Sequence, residues 1–215
     1  MEWTRLLLVR HGETAWNADG RIQGHLDIAL NEVGRAQAGR LAAKLRDEGE
    51  RIDLIYSSDL ARARQTAQAV ADATGVPLLA TPGLRERCFG AFQGRRFADV
   101  EAELPQDAER WRRRDPHWAP PGGGESLLQF KERITQVVCG LAAQNMGKHV
   151  AMFTHGGVLD VLYRAATGAS LQDARTWQLD NAAVNRLLWT PDGGLALVGW
   201  ADRSHLDDTR DERLA

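Results

Sequence analysis

An apolar run over residues 6–9 ends directly at Arg10, His11 and Gly12. Short runs of this kind are typical of strands that are buried on both faces of a parallel sheet. Ligands of open α/β sheets bind beyond the carboxyl ends of such strands. A permanent cation and an imidazole therefore arrive together where a ligand is expected, and the glycine after them lets backbone approach that ligand closely.

A second histidine is placed in the same way. Residues 150–154 form an apolar run that leads into His155 and Gly156. Because the carboxyl ends of parallel strands meet at one edge of a sheet, His11 and His155 are predicted to share one pocket. His155 is expected there as an exposed turn residue. We predict that the pocket binds phosphate and that a histidine is its nucleophile.

Arg10 accounts for the preference for phosphate. Its guanidinium supplies a fork of donors for phosphoryl oxygens. Its charge also disfavours protonation of the neighbouring imidazole, which keeps His11 neutral and nucleophilic. The alternative interpretation is a surface ion-pair arginine beside a purely structural histidine.

Strand-like and helix-like segments alternate along the chain, which is typical of an α/β fold. We predict one domain over residues 1–215, a three-layer sandwich in which helices flank a mostly parallel central sheet. Residues 95–124 are rich in Arg, Trp and Pro and end in three glycines, so a small helical cap that sets substrate specificity is expected there. Residues 204–215 are expected to be a loose tail. The predicted strands are 6–9, 53–56, 78–79, 149–153, 184–189 and 195–200, and the predicted helices are 32–45 after an Asn31 N-cap, 60–73, 125–145 and 158–167.

Composition excludes several classes of partner. A net charge of −2 over 215 residues argues against binding to nucleic acid or to a membrane surface. No apolar stretch reaches the length of a membrane span, and a cytoplasmic location is expected. Cys88 and Cys139 are far apart and are expected to be reduced thiols. The histidines show no metal-ligand spacing, so neither a metal nor a cofactor is expected.

Two further charged residues are candidates for the site. Arg62 falls in the first turn of the helix after the second strand, where the helix N-terminus also favours an anion. The alternative is a solvated helix charge. Glu86 lies between two arginines and is a candidate general acid and base. By spacing alone, a surface salt bridge explains Glu86 as well.

Six motifs in the chain resemble those of one protein family. They are Leu-Val-Arg10-His11-Gly12-Glu13-Thr14-x-Trp16-Asn17, Gln23-Gly24, Ser57-Ser58-Asp59-Leu60-x-Arg62-Ala63-x-Gln65-Thr66-Ala67, Leu84-x-Glu86-x-x-Phe89-Gly90, Gly123-Gly124-Glu125-Ser126 and Thr154-His155-Gly156-Gly157. In order and spacing, over residues 6–185, they are similar to the histidine phosphatase superfamily, in its phosphoglycerate-mutase-like branch.

That resemblance implies a role for each candidate residue. His11 would be the nucleophile, and Glu86 would protonate the leaving alcohol and later deprotonate the attacking water. The phosphoryl oxygens would be held by Arg10, Arg62, His155, Asn17 and the Gly156 amide, with Gln23 and Gly24 at the substrate edge. These cationic and hydrogen-bonding groups would replace the Mg²⁺ of other phosphoryl-transfer enzymes, so the resemblance implies no metal.

The resemblance leaves open which of several functions the site performs. Glu86 and His155 lie 69 positions apart, similar to compact phosphatases of the family, whereas glycolytic mutases resemble a longer chain. We expect a metal-independent phosphatase that acts on a small phosphorylated metabolite. The alternatives are a cofactor-dependent phosphoglycerate mutase and a non-catalytic phosphate-binding module. Residues 110–118 are interpreted either as a substrate-recognition segment or as a solvated basic helix face with inward tryptophans. A homodimer is a further expectation.

Overall fold

Six strands form one mixed sheet in the computed structural model, which describes residues 2–206. The strands are β1 (Thr4–Arg10), β2 (Leu54–Ser58), β3 (Leu78–Thr81), β4 (His149–Thr154), β5 (Val184–Thr190) and β6 (Gly194–Asp202). Their spatial order is β3-β2-β4-β1-β5-β6. The first four strands in that order run parallel, and β5 and β6 add an antiparallel edge.

The pairing of β1 with β4 fixes the position of the predicted site. The two strands are parallel neighbours at the centre of the sheet, and Arg10 is the register partner of Thr154. Each is the last residue of its strand. His11 and His155 therefore leave the same edge of the sheet side by side.

Helices lie between the strands along the described chain. They are α1 (Ala15–Ala18), α2 (Glu32–Asp47), α3 (Ala61–Thr74), α4 (Phe97–Glu103), α5 (Pro105–Arg112), α6 (Leu127–Gln144) and α7 (Gly156–Thr167). The predicted N-cap Asn31 accepts a hydrogen bond from the Gly34 amide, and Ser126 forms a capping box with Gln129 at the start of α6. Gly75 ends α3 in the left-handed conformation, as predicted.

The apolar run of β1 is continuous because the sheet is covered on both faces. Leu6 and Leu8 belong to the core against α6 and α7, together with Ile134. Leu7 and Val9 point the other way, into the core against α2 and α3. Alternate side chains of one strand thus fill two cores. The predicted three-layer α/β sandwich is confirmed.

The cap predicted over residues 95–124 contains α4 and α5. Its inner surface is aromatic: the Trp111 ring stacks on Phe89 and Phe92, with centroids 5.0 and 5.7 Å apart, and Trp118 is buried. These rings form a small core separate from the two cores of the sandwich. The tryptophans of the segment therefore pack inward.

The three consecutive arginines 112–114 of the cap are of two kinds. Arg112 and Arg113 are exposed and pair with Glu109 on the same helix, which fits the solvated face considered above. Arg114 differs, because it crosses to α7 and pairs with Asp160.

Two sequence predictions concern the rest of the molecule. Among the described helices, none combines the length and apolar character needed to cross a bilayer. The first residues of the predicted tail make contacts: the Ser204 hydroxyl accepts a hydrogen bond from Lys44, and His205 hydrogen-bonds to the Ala182 carbonyl. The remainder of the tail, residues 207–215, lies outside the described residues.

Candidate active site

His11 lies directly after β1, and its side chain is 3% exposed. Its Nδ1 is 2.7 Å from the Gly12 carbonyl oxygen. A carbonyl only accepts, so Nδ1 carries the ring proton and donates it there. The Nε2 lone pair is thereby left free, and this is the atom that a nucleophilic histidine needs.

The turn that carries His11 is held by close backbone contacts. A Cβ on Gly12 would come within 2.5 Å of the Gly34 carbonyl oxygen at the start of α2. The Gly12 amide also donates to Thr66 Oγ1 of α3. Glycine at position 12 therefore allows the turn to pack between α2 and α3, where a larger residue would clash.

The electrostatic environment keeps the His11 ring neutral. Burial, and then the charges of Arg10 and Arg62, hold the pKa of His11 well below its ordinary value. Each of these effects disfavours the imidazolium form. The ring is therefore held in its neutral form, the form that a nucleophilic histidine requires.

Arg10 and Arg62 are both anchored by backbone carbonyls. Arg10 Nη1 donates to the Leu179 oxygen at 2.5 Å, and the Arg62 Nη atoms donate to the Leu26 and Gly24 oxygens at 2.8 and 2.7 Å. Both Nε atoms are buried without a hydrogen-bond partner within the described chain.

Burial also lowers the pKa of both guanidinium groups. Desolvation lowers the pKa of Arg62 to about 10, and it lowers the pKa of Arg10 as well. Within the described residues, neither guanidinium has a carboxylate at ion-pair distance. Two buried, anchored cations that lack an ion-paired carboxylate are a preorganised site for an anion.

His155 is fully buried, so the expectation of an exposed turn residue was wrong. The reason is that β4 lies between β1 and β2 in the sheet, so His155 is packed between His11 after β1 and Ser58 at the end of β2. His155 Nε2 is 2.9 Å from Ser58 Oγ, and its Nδ1 has no partner among the described residues. The His11 and His155 ring centroids are 5.2 Å apart. Burial and Arg62 hold the pKa of His155 well below its ordinary value.

Glu86 reaches the site from the loop between β3 and α4. Its Oε1 accepts from the Arg87 amide at 2.8 Å, and its Oε2 accepts from the Gly157 amide at 2.9 Å. Gly157 lies in the first turn of α7, where the helix dipole favours an anion. The salt bridge considered as the alternative for Glu86 is not formed within the described residues, because both oxygens contact backbone amides.

Arg133 of α6 holds the Glu86 loop in place, a role that the sequence analysis did not predict. Its guanidinium donates to three backbone carbonyls of the loop, those of Gly83, Arg85 and Glu86. The same guanidinium forms a bidentate pair with Glu125, at 2.7 and 2.8 Å. Glu125 belongs to one of the quoted motifs, but no spacing connects it with Arg133.

The predicted site residues line one cleft of about 140 Å³, with one exception. The lining residues are Arg10, His11, Asn17, Arg21, Gln23, Gly24, Arg62, Glu86, Phe89 and Gly156. His155 is the exception. Arg21 and Phe89 were not predicted.

Asn17 and Gln23, at the edge of the cleft, are both held by Thr14. Asn17 Oδ1 accepts from the Thr14 amide at 3.1 Å and so completes the capping box of α1, whose N-cap is Thr14. Gln23 Oε1 accepts from Thr14 Oγ1 at 3.0 Å. Thr14 thus connects the two amide side chains at this edge.

Across residues 2–206, no group of three or more His, Cys, Asp or Glu side chains is arranged to hold a metal ion.

Comparisons with known proteins agree with this geometry. The model of the histidine phosphatase superfamily (branch 1) matches residues 6–203. A metal-independent phosphoserine phosphatase of Arabidopsis thaliana is 39% identical over 95% of this chain and 84% of its own length. Phosphoglycerate mutase-like protein 4 of the same plant is 35% identical over 97% of this chain and 90% of its own length.

Solved structures lead to the same family. A mycobacterial glucosyl-3-phosphoglycerate phosphatase superposes with a TM-score of 0.81 and 31% identity, over 93% of this chain and 99% of that protein. The family predicted from the motifs is confirmed: the chain belongs to the histidine phosphatase superfamily.

Proposed function

We propose that the chain is a metal-independent phosphatase that hydrolyses a small phosphate monoester through a phosphohistidine at His11. The observation that carries the proposal is a neutral, buried imidazole with a free Nε2, set among cations that have no carboxylate partner. The similarity to a metal-independent phosphoserine phosphatase supports both the reaction and the absence of a metal.

In the first step, His11 Nε2 attacks the phosphorus atom and the bond to the ester oxygen breaks. Negative charge on the three non-bridging oxygens is stabilised by Arg10 and Arg62, with further donors on Asn17 and the Gly156 amide. His155, whose Nδ1 has no partner, supplies another contact. Glu86, protonated once the negatively charged phosphate is bound beside it, gives its proton to the departing oxygen, so that the alcohol leaves neutral.

In the second step, water replaces the alcohol next to Glu86. The Glu86 carboxylate takes a proton from that water, whose oxygen attacks phosphorus as the bond to His11 Nε2 breaks. Inorganic phosphate leaves, and His11 and Glu86 return to their starting protonation states. One carboxyl thus acts as acid and then as base.

A mutase is the second candidate, supported by the phosphoglycerate mutase-like relative. It would use the same phosphohistidine but return the phosphoryl group to a second hydroxyl instead of to water. The two activities differ in the acceptor, so they are separated by the product. With 3-phosphoglycerate and 2,3-bisphosphoglycerate supplied together, the phosphatase releases inorganic phosphate, and the mutase yields the isomer with little release.

The nucleophile is tested by substitution of His11. We expect release of 4-nitrophenol from 4-nitrophenyl phosphate in buffer containing EDTA, and a loss of at least a thousandfold in His11→Ala. His117→Ala is the matched control, because His117 is an exposed histidine of the cap. Quenching with an alkaline denaturant during turnover is expected to trap a phosphate adduct on the wild-type chain that is stable in base and lost in acid. Activity that persists in His11→Ala, or that disappears with EDTA, would contradict the mechanism.

The cellular setting is also a proposal. Cys88 and Cys139 are both free thiols, which supports a reducing compartment such as the cytoplasm. We further propose that the partner is a small phosphorylated metabolite, and that the chain binds neither nucleic acid nor a membrane. The homodimer also stays a prediction. Light scattering on the purified chain tests the homodimer.

A further inference from the structure

A second cleft, of about 200 Å³, adjoins the phosphate cleft, and Phe89 lines both. We call it the leaving-group cleft. It lies between the cap and α7, and its lining includes Arg87, Arg114, Arg175 and Asp160. A monoester whose phosphate contacts His11 would extend its alcohol past Phe89 into this space.

The charge of this cleft is strongly positive. Arg87 is buried and donates only to carbonyls, those of Glu125 at 2.8 Å and Trp118 at 3.4 Å, with no ion pair among the described residues. Arg175 is exposed and has neither a hydrogen bond nor an ion pair within residues 2–206. Two of the three guanidinium groups, those of Arg87 and Arg175, therefore face the cleft without an ion-paired carboxylate among the described residues.

The single acidic residue of the lining is already committed to arginines. Asp160 Oδ2 accepts from Arg114 Nη2 at 2.7 Å and from Arg164 Nε at 3.0 Å. Arg114 also donates to the Leu171 carbonyl, which fixes its guanidinium at the cleft. Asp160 thus holds Arg114 in place but does not neutralise the cleft.

We propose that the leaving-group cleft selects alcohols that carry a second anionic group. The inference rests on the proposed phosphatase function and names its substrate class. A forked guanidinium matches the two oxygens of a carboxylate or of a phosphate, and three such groups line the cleft. Its remaining walls are apolar, among them Trp111 and Phe130, so a neutral polar alcohol gains little there.

Pairs of substrates that differ by one charged group test the selection. Phosphoserine is compared with phosphoethanolamine, which lacks the carboxylate, and 3-phosphoglycerate with glycerol 3-phosphate. Fructose 1,6-bisphosphate against fructose 6-phosphate tests phosphate as the second anion. For at least one pair, we expect kcat/KM of the more anionic substrate to be tenfold or more higher, the size of one charged hydrogen bond.

Substitutions then locate the preference in the cleft. Arg114→Met and Arg175→Met are each expected to lower the ratio of kcat/KM within a pair at least fivefold, mainly through KM of the more anionic substrate. Arg113→Met is the control, because Arg113 precedes Arg114 but is exposed and pairs with Glu109. Arg114→Met leaves Asp160 paired with Arg164, and Arg175 is exposed, so thermal melting should show folded variants.

The outcomes separate this inference from the function on which it rests. Phosphate release without any preference within the pairs, or a preference that both variants retain, would overturn the inference and leave the phosphatase intact. If no monoester releases phosphate, 4-nitrophenyl phosphate included, the proposed function and the inference fail together. A ratio that falls equally in Arg113→Met would also count against the cleft.

Discussion

We predict that the hydroxyl of Ser58 sets which nitrogen of His155 carries the ring proton. Ser58 Oγ lies 2.9 Å from His155 Nε2 and accepts a longer hydrogen bond, of 3.4 Å, from the Leu60 amide. With a lone pair directed to that amide, the hydroxyl proton is available to Nε2. The ring proton is then on Nδ1, the buried nitrogen without a partner. A neutral His155 thereby becomes a donor for a phosphoryl oxygen.

This assignment predicts a specific effect of Ser58. We expect ¹⁵N spectra of the wild-type chain to show His155 as the Nδ1–H tautomer, and Ser58→Ala to lose that preference. Inhibition by inorganic phosphate should weaken about tenfold in Ser58→Ala, the cost of one hydrogen bond to a charged ligand. Ser58→Thr keeps the hydroxyl and is expected to restore both readouts. An Nε2–H tautomer in the wild type would refute the assignment.

Residue types and their order along the chain were enough to nominate His11 and Arg62, whereas Glu86 was singled out by the resemblance of its motif to the family. Their partners were not predictable, because they depend on contacts across the fold. The burial of His155 follows from strand order, which the sequence does not state. Arg133 looks like any solvated helix arginine until α6 is placed against the Glu86 loop.

At the scale of the element, the first turn of α7 brings two functions together. It begins directly after His155, and the Gly157 amide holds Glu86 Oε2. A Cβ at position 157 would overlap Glu86 Oε1 and crowd Phe130. Glycine is therefore required at position 157 because it lets the Glu86 carboxylate approach the helix. The helical conformation itself does not require it.

Gly157→Ala is predicted to move Glu86 without unfolding the helix. We expect kcat to fall at least tenfold for an alkyl phosphate and less for 4-nitrophenyl phosphate, whose leaving group needs no proton. Gly140→Ala is the matched control in α6, where a Cβ meets no atom within 4 Å. That control should gain up to about 1 kcal/mol of stability at unchanged activity. Equal losses on both esters in Gly157→Ala would argue against Glu86 as the acid.

Element types were predicted well where the pattern was local. The apolar runs gave the strands, and the capping residues Asn31 and Gly75 gave helix limits that the structure bears out. The placement of the cap was not predictable, because it depends on long-range contacts such as Trp111 with Phe89 and Arg114 with Asp160. Nothing in the sequence around Arg114 distinguishes it from its exposed neighbour Arg113.

For the whole molecule, the buried histidines predict how stability depends on pH. Burial holds the pKa of His11 and His155 below the value of about 6.5 that they have in an unfolded chain. His205 is shifted in the same direction. As pH falls below 6.5 the unfolded chain therefore takes up protons that the folded chain does not.

The free energy of unfolding should accordingly be highest above pH 6.5 and fall on acidification. Each histidine contributes up to about 1.4 kcal/mol per pH unit between its two pKa values. Urea unfolding at pH 7.5, 6.5 and 5.5 measures the slope. It should become shallower in His155→Gln and stay unchanged in His117→Gln, which alters an exposed ring. Stability that is constant or rises toward pH 5.5 would refute the prediction.

The pairing of β1 with β4 joins segments separated by more than half of the chain. Contacts so distant in sequence form late, because a long loop must close before they stabilise anything. Both imidazoles depend on this one pairing. An incomplete chain that ends before β4 contains the His11 motif but lacks His155 and the strand that places it. Catalytic competence is therefore acquired at completion of the fold, and returning activity is a direct reporter of correct assembly.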